Sequence, residues 1–136
     1  MKVLILDDVT RRLDVFRAHY ESIGYQVTTV MKYGECVGLL QAQKWDLVHL
    51  DHDLGEFVED ADSYEDGWGI KRYYNGGHVV QEILSLPEES YPKNVIVHSI
   101  NPRGAIMRDD LRRHGISAVW IPFVDPSWEA PVSESE

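Results

Sequence analysis

Short apolar runs alternate along this chain with stretches whose apolar residues recur at helical spacing, and no other feature constrains the fold as tightly. Lys2 to Asp7, Tyr25 to Val30, Trp45 to Asp51, Asn94 to Ser99 and Ser117 to Ile121 read as strands. Between them Leu13, Phe16, Tyr20 and Ile23 fall at helical intervals, as do Val79, Val80, Ile83 and Leu84, then Met107 and Leu111. Strand and helix taking turns predicts a five-stranded parallel sheet with right-handed crossovers and helices on both faces. The expected strand order is 2-1-3-4-5. In such sheets ligands sit outside the carboxyl ends of the strands, where the order reverses. Those are the ends of strands 1 and 3, which carry Asp7-Asp8 and Asp51-His52-Asp53.

The chain of 136 residues is sized for one domain, and a hydrophobic fraction of 43% with four Trp fits a packed core. The expected layout is a single domain over 1–123, interrupted by an acidic, aromatic insertion at 56–77 and followed by a tail at 124–136. The insertion combines dense acids between Glu56 and Asp66 with Tyr64, Trp68, Tyr73 and Tyr74. Its length suits either an ordered lid or a floppy insert. No final helix is visible after the fifth strand. The formal charge of −10 opposes non-specific binding to nucleic acid or an anionic membrane, so a phosphate ligand would need a local site. One cysteine, Cys36, excludes an internal disulfide and a zinc-thiolate cluster; within a helical apolar pattern it reads as core. The N-terminal apolar run is too short for a signal peptide or span, which makes a cytoplasmic location the expectation.

Ionisable groups crowded at the exit of buried strands repel and desolvate one another unless something binds them. Asp7, Asp8 and Asp51 offer three hard oxygen donors suited to magnesium or manganese. Taken alone, Asp8 is an ordinary acid at a helix start; it is the coincidence with Asp51 and Asp53 that points to a metal. His52 and His98 fall at neighbouring strand ends, where two imidazoles could serve as general acid and base or complete a softer, histidine-ligated transition-metal site. His49 lies deeper in its strand and reads as a core histidine. In Ser99-Ile100-Asn101-Pro102-Arg103-Gly104, Asn101 reads as an N-cap and Pro102 as the first helical residue. A helix start there would offer amides to phosphate, with Ser99 adding a hydroxyl. Arg12 stands one turn beyond Asp8, within reach of a bound anion. His78 follows Asn75-Gly76-Gly77 at another helix start.

The ordered set Leu4 to Asp8, Asp46 to Asp51 and Ile121-Pro122-Phe123 resembles response-regulator receiver domains, which have the flavodoxin-like fold. The resemblance implies magnesium at Asp7, Asp8 and Asp51, with Asp51 as phosphate acceptor and Ser99 as the hydroxyl residue after strand 4. The lysine that family carries before Pro-Phe is here Ile121, which argues against phosphotransfer signalling. The compound motifs Leu50-Asp51-His52-Asp53-Leu54-Gly55 and His98-Ser99-Ile100-Asn101-Pro102-Arg103-Gly104 resemble more closely the cyclic-phosphate-processing receiver domains. Leu6-Asp7-Asp8 with Arg12 and Phe16, a glycine before the third helix at Gly77, Met107 and Pro122-Phe123 extend that resemblance over residues 2 to 123.

This resemblance implies a metal-dependent phosphoesterase acting on a cyclic phosphate of a small nucleotide or an RNA end, in keeping with the family's association with RNA-end repair. Asp7, Asp8 and Asp51 would hold the cation. His52 and His98 would share proton transfer, Asp53 would ligate or orient, and Ser99, Asn101, Arg12 and Gly104 would bind the phosphate. The rivals are a non-enzymatic receiver-like regulatory module and a protein that sequesters a cyclic nucleotide.

Overall fold

The computed structural model describes residues 1–54 and 61–122. Readings that fall on Gly55, on the first residues of the insertion, on Phe123, on the 124–136 tail and on the last helix lie outside those residues. The elements run β1 (Lys2–Leu6), α1 (Thr10–Ser22), β2 (Gln26–Val30), α2 (Tyr33–Ala42), β3 (Leu47–Leu50), β4 (Ser63–Glu65), β5 (Lys71–Tyr73), α3 (Gly76–Leu84), a 3-10 turn (Glu88–Ser90), β6 (Asn94–Val97), α4 (Arg103–Arg113) and β7 (Ser117–Trp120). The main sheet has the order β2-β1-β3-β6-β7, all parallel, which is the expected 2-1-3-4-5 with a hairpin inserted.

Burial explains why the central strands are apolar runs rather than alternating ones. Helices cover both sides of the sheet, so successive residues of β1, β3 and β6 all meet a core. On one side Leu4, Leu6, Val48, Leu50, Val95 and Val97 pack under α2, α3 and α4 through residues such as Cys36, Leu40, Val79, Ile83, Met107 and Leu111. On the other, Val3, Ile5, Leu47 and Ile96 pack under α1 through Leu13, Phe16 and Tyr20. Cys36 is core as expected, and burial pushes its thiol up to about 12. Among the described residues no helix is long and apolar enough to cross a membrane.

The strand ends are level. Leu6 pairs with Val30 and Leu50, Leu50 with Val97, and Val97 with Trp120. The ladder continues one residue further: the amides of Asp7, Asp51, His98 and Ile121 donate to Val30, Leu6, Leu50 and Val97, respectively. These four residues therefore form a row across the carboxyl edge of the sheet. Strand periodicity turns Asp7, Asp51 and His98 to the same side as Ile5, His49 and Ile96. That is the side under α1.

The structure adds one element and shifts one residue. The second half of the insertion is an antiparallel β4–β5 hairpin, its turn closed by the Asp66 carboxylate, which accepts from the amides of Trp68 and Ile70 and pairs with Arg72. Its short strands offered no apolar run, and stacking of Tyr74 on Tyr33 (4.1 Å, 6°) fixes it instead. Gly77 does not precede α3 but lies in its first turn, and Gly76 is the glycine that packing demands. A Cβ there would stand 2.1 Å from the Asp51 carbonyl oxygen and 2.7 Å from Met107 Cε. Its amide donates to His52 O, tying α3 to the exit of β3. Gly76→Ala is expected to cost about 1–3 kcal/mol through overpacking. Gly38→Ala, in α2 with nothing within 4 Å of the added carbon, should stabilise by about 0.5–1 kcal/mol. Urea midpoints of the two variants check the contrast.

Candidate metal and phosphate site at the sheet edge

Asp7 and Asp51 sit side by side because β1 and β3 pair in parallel with their ends aligned, and His98 joins them from β6. One ligand atom from each lies within 4.8 Å of the others, and all three residues are buried. Asp7 is richly served. Its Oδ2 accepts from His98 Nε2 at 2.8 Å, and its Oδ1 accepts from the Val9 amide at 2.8 Å and Arg12 Nη2 at 3.0 Å. Burial alone would raise its pKa. The His98 hydrogen bond and charge, with Arg12 and Val9, outweigh burial and hold Asp7 below the usual carboxylate range.

Asp51 is less well compensated. Arg12 Nη2 reaches its Oδ2 at 3.1 Å, but burial and the neighbouring Asp7 charge push Asp51 up to about 6. Two buried carboxylates with one shared guanidinium make a site that favours added positive charge, and the oxygen donors suit a hard divalent cation. Asp8 is buried beside this group rather than within it: its Oδ1 lies 3.7 Å from the same Arg12 Nη2, and its charge adds to the upward push on Asp51.

The two histidines do not face one crevice alike. His98 is fully buried, its Nε2 held by Asp7, with Phe16 tilted on its ring at 4.7 Å. His52 is the more open of the two. Its Nδ1 lies 2.8 Å from Asp53 Oδ1, and Asn101 Nδ2 donates to that same carboxylate oxygen at 3.0 Å. His52, Asn75, His78, Gln81, Arg103 and Met107 line a groove of about 290 Å³ between α3 and α4. His78 lies at the start of α3, where its Nδ1 accepts from the Asn75 amide in a capping box. Burial and the charge of His52 lower His78 from its ordinary value. His49 is core, as read from its depth: buried, hydrogen-bonded to Tyr20 Oη and packed on Phe16.

The predicted phosphate cradle is arranged differently from its sequence reading. The helix begins at Arg103, with Pro102 at the N-cap. Asn101 precedes it, its Oδ1 accepting from the Arg103 amide while its Nδ2 serves Asp53. Ser99 is 1% exposed and its Oγ accepts from the Asn101 amide. Gly104 does not present its amide to a ligand, since that N–H donates to Asn101 O at 2.8 Å. Its missing side chain lets Trp120 lie against the helix, where a Cβ would meet Nε1 at 2.6 Å. Arg12 lies among the carboxylates rather than beside an empty anion site. The fixed link from Asn101 to Asp53 is what sequence reading missed. Only the Asn101 amide, close to His52-Asp53 in the assumed strand order, could have signalled it.

An open parallel sheet of this order, with acids at the ends of its first and third strands, defines a receiver-type module. Among solved structures the chain is similar to a CheY-like receiver domain from Methanospirillum hungatei JF-1, at 18% identity and a TM-score of 0.60 over 92% of this chain and 83% of that one. It is also similar to the phosphorylated cyanobacterial phytochrome response regulator RcpA, at 21% and 0.61 over 89% and 79%. A third is the regulator TrrA from Thermotoga maritima, solved in complex with Mg2+-BeF, at 15% and 0.59 over 90% and 86%. Among curated proteins none matches. The model of the family described as "Cyclic-phosphate processing Receiver domain" matches residues 2–116, and the chain belongs to that family.

The unequal compensation of the two acids gives opposite pH behaviour. Asp51 binds its proton more tightly folded than unfolded, so its contribution to stability falls as pH rises from about 4 through about 6. Asp7, held low, contributes stability above the unfolded value and loses it as pH falls. In metal-free buffer at pH 7.5, Asp51→Asn should therefore raise stability by about 1–3 kcal/mol, a gain that disappears below about pH 4. Asp7→Asn should lower it. Thermal melts across pH 4 to 8 measure both signs.

Proposed function

We propose that this chain is a metal-dependent phosphoesterase that opens a cyclic phosphate carried by a nucleotide or an RNA end. The observation that carries this reading is the adjacency, on one sheet edge, of a buried Asp7–Asp51–His98 cluster and an oriented His52–Asp53–Asn101 set beside a groove. Asp7 and Asp51 would hold magnesium or manganese, with Asp8 flanking and Asp53 exposed nearby. A cation bound there supplies Lewis acidity at a phosphoryl oxygen and lowers the pKa of water from about 16 towards neutrality.

The remaining work falls to the chain. With Asp53 accepting from Nδ1–H, His52 is left with Nε2 as its basic nitrogen, the tautomer that can take a proton from attacking water and return it to the departing ribose oxygen. Asn101 keeps Asp53 in register. His98 acts through Asp7, holding its carboxylate in place; a transition metal bound through His98 Nε2 would have to replace that bond. Arg103, at the rim, gives the groove a positive group for the phosphate or its ester, and the organic part would lie between α3 and α4.

A non-enzymatic receiver-like module is the second reading, favoured by the position of Asp51 at the phosphoacceptor place and by a fold shared with response regulators. Ile121 occupies the row position next to His98, where a cation would be needed to neutralise an aspartyl phosphate. With nucleoside 2′,3′-cyclic phosphates and manganese, the first reading expects turnover that EDTA abolishes. It also expects Asp53→Asn to lower the rate and His52→Ala to lower kcat about 10²- to 10⁴-fold without a change in melting temperature. Turnover unaffected by His52→Ala would refute the assignment. A labile phosphate adduct after acetyl phosphate treatment, absent in Asp51→Asn, would favour the second reading, and stoichiometric binding without turnover would favour sequestration.

A further inference from the structure

The guanidinium of Arg12 occupies the space between the carboxylates that the proposed function assigns to a metal. Its Nη2 hydrogen-bonds to Asp7 Oδ1 at 3.0 Å and Asp51 Oδ2 at 3.1 Å and lies 3.7 Å from Asp8 Oδ1. Nε lies 2.9 Å from Asp7 Oδ2, yet it is not aligned for a hydrogen bond. The same Asp7 oxygens are already serving His98 and the Val9 amide. Little lone-pair capacity is left for another cation while the arginine stays.

We infer that Arg12 is a built-in exchangeable counter-ion: guanidinium and divalent metal are alternative occupants of the Asp7–Asp51 oxygens, and metal binding expels the arginine towards the phosphate. The inference rests on the metal reading above. Three observations support it. First, two cations cannot share these oxygens cheaply, since unit charges at 4 Å repel by about 4 kcal/mol even at an effective dielectric of 20, and a divalent ion doubles that. Second, the arginine can leave without moving the fold. It stands in the first turn of α1 on a flexible stem, its side chain is 20% exposed against 0% and 3% for Asp7 and Asp51, and one of its three close nitrogen contacts is misaligned. Third, a single guanidinium carries one charge against the two buried carboxylates of Asp7 and Asp51, so an ion of higher charge density has a gain to make.

The exchange couples two ligands. While bound to Asp7 and Asp51, the Arg12 charge is unavailable to an anion; once displaced, it is a bidentate donor at the same sheet edge. Metal and phosphate should therefore strengthen each other's binding, and by linkage the coupling is reciprocal.

Calorimetric titration of wild type, Arg12→Ala and Arg12→Lys with Mn2+, alone and with inorganic phosphate, tests this directly. Removing the resident cation should tighten Mn2+ binding about tenfold, equivalent to about 1.4 kcal/mol, and lower the metal-free melting temperature, with saturating Mn2+ closing most of that deficit. Phosphate should tighten Mn2+ binding in wild type and lose this effect in Arg12→Ala. In wild type alone, which removes any dependence on variant folding, titration with diamagnetic Mg2+ should move the Arg12 Nε–H resonance towards that of a solvent-exposed arginine. A folded Arg12→Ala that binds Mn2+ no more tightly than wild type, or an Arg12 resonance unmoved at Mg2+ saturation, would overturn the exchange and leave the metal site standing. Absence of Mn2+ binding in all three proteins would overturn both.

Discussion

One extra rung on a parallel ladder underlies everything else at this site. Because the backbone pairing runs one residue past the strands, Asp7, Asp51 and His98 are held in a row by main-chain bonds to Val30, Leu6 and Leu50. Their separation is set by strand spacing, not by their own chemistry. Parallel strands hydrogen-bonded in register lie about 4.8 Å apart, so two like charges at adjacent ends cannot relax away from each other. The repulsion is built into the fold.

The neighbourhood is organised around that repulsion. His98 and Arg12 converge on Asp7 from β6 and α1, and Phe16 fills the space behind, against the rings of His49 and His98. Asp7 ends well stabilised and Asp51 does not. A site with one satisfied and one strained carboxylate differs from a structural ion pair, in which both partners gain. It is poised to take up charge, and the oxygen donors decide which kind. Beyond the ends of β3 and β6, His52, Asp53 and Asn101 form a polar set with an outlet to the α3–α4 groove. Gly76 ties the two halves together by allowing α3 to rest on the Asp51 carbonyl.

Much of this was legible in the residues. Apolar runs alternating with helical spacing point to a parallel sheet covered on both faces, and the flavodoxin-like order expected for five such strands is the one observed. Acids at the exits of runs 1 and 3 marked the ligand edge, and the depth of His49 marked it as core. Other features were not legible. The β4–β5 hairpin has three-residue strands whose order comes from stacked tyrosines and an Asp66-capped turn, interactions without a periodic signature. The family resemblance points to Gly77 whereas the packing demand falls on Gly76, because sequence cannot say which backbone must be touched. Asn101 and Gly104 read as a phosphate cradle, since the motif shows an available helix start but not that its amides and side chain already have partners.

The sequence by itself determined the five strands and the covering helices of the main sheet and which chemical groups arrive at its carboxyl edge, because hydrophobic periodicity and strand polarity are local properties of the chain. Only the tertiary structure decided what those groups do to one another: that Arg12 reaches Asp7 and Asp51, that His98 is enclosed while His52 is not, and that Asp8 flanks the cluster through Arg12. Those outcomes turn on small differences in the distances between residues up to 91 positions apart. Electrostatic coupling and hydrogen-bond geometry vary steeply over such distances, and no pattern along a single chain encodes them.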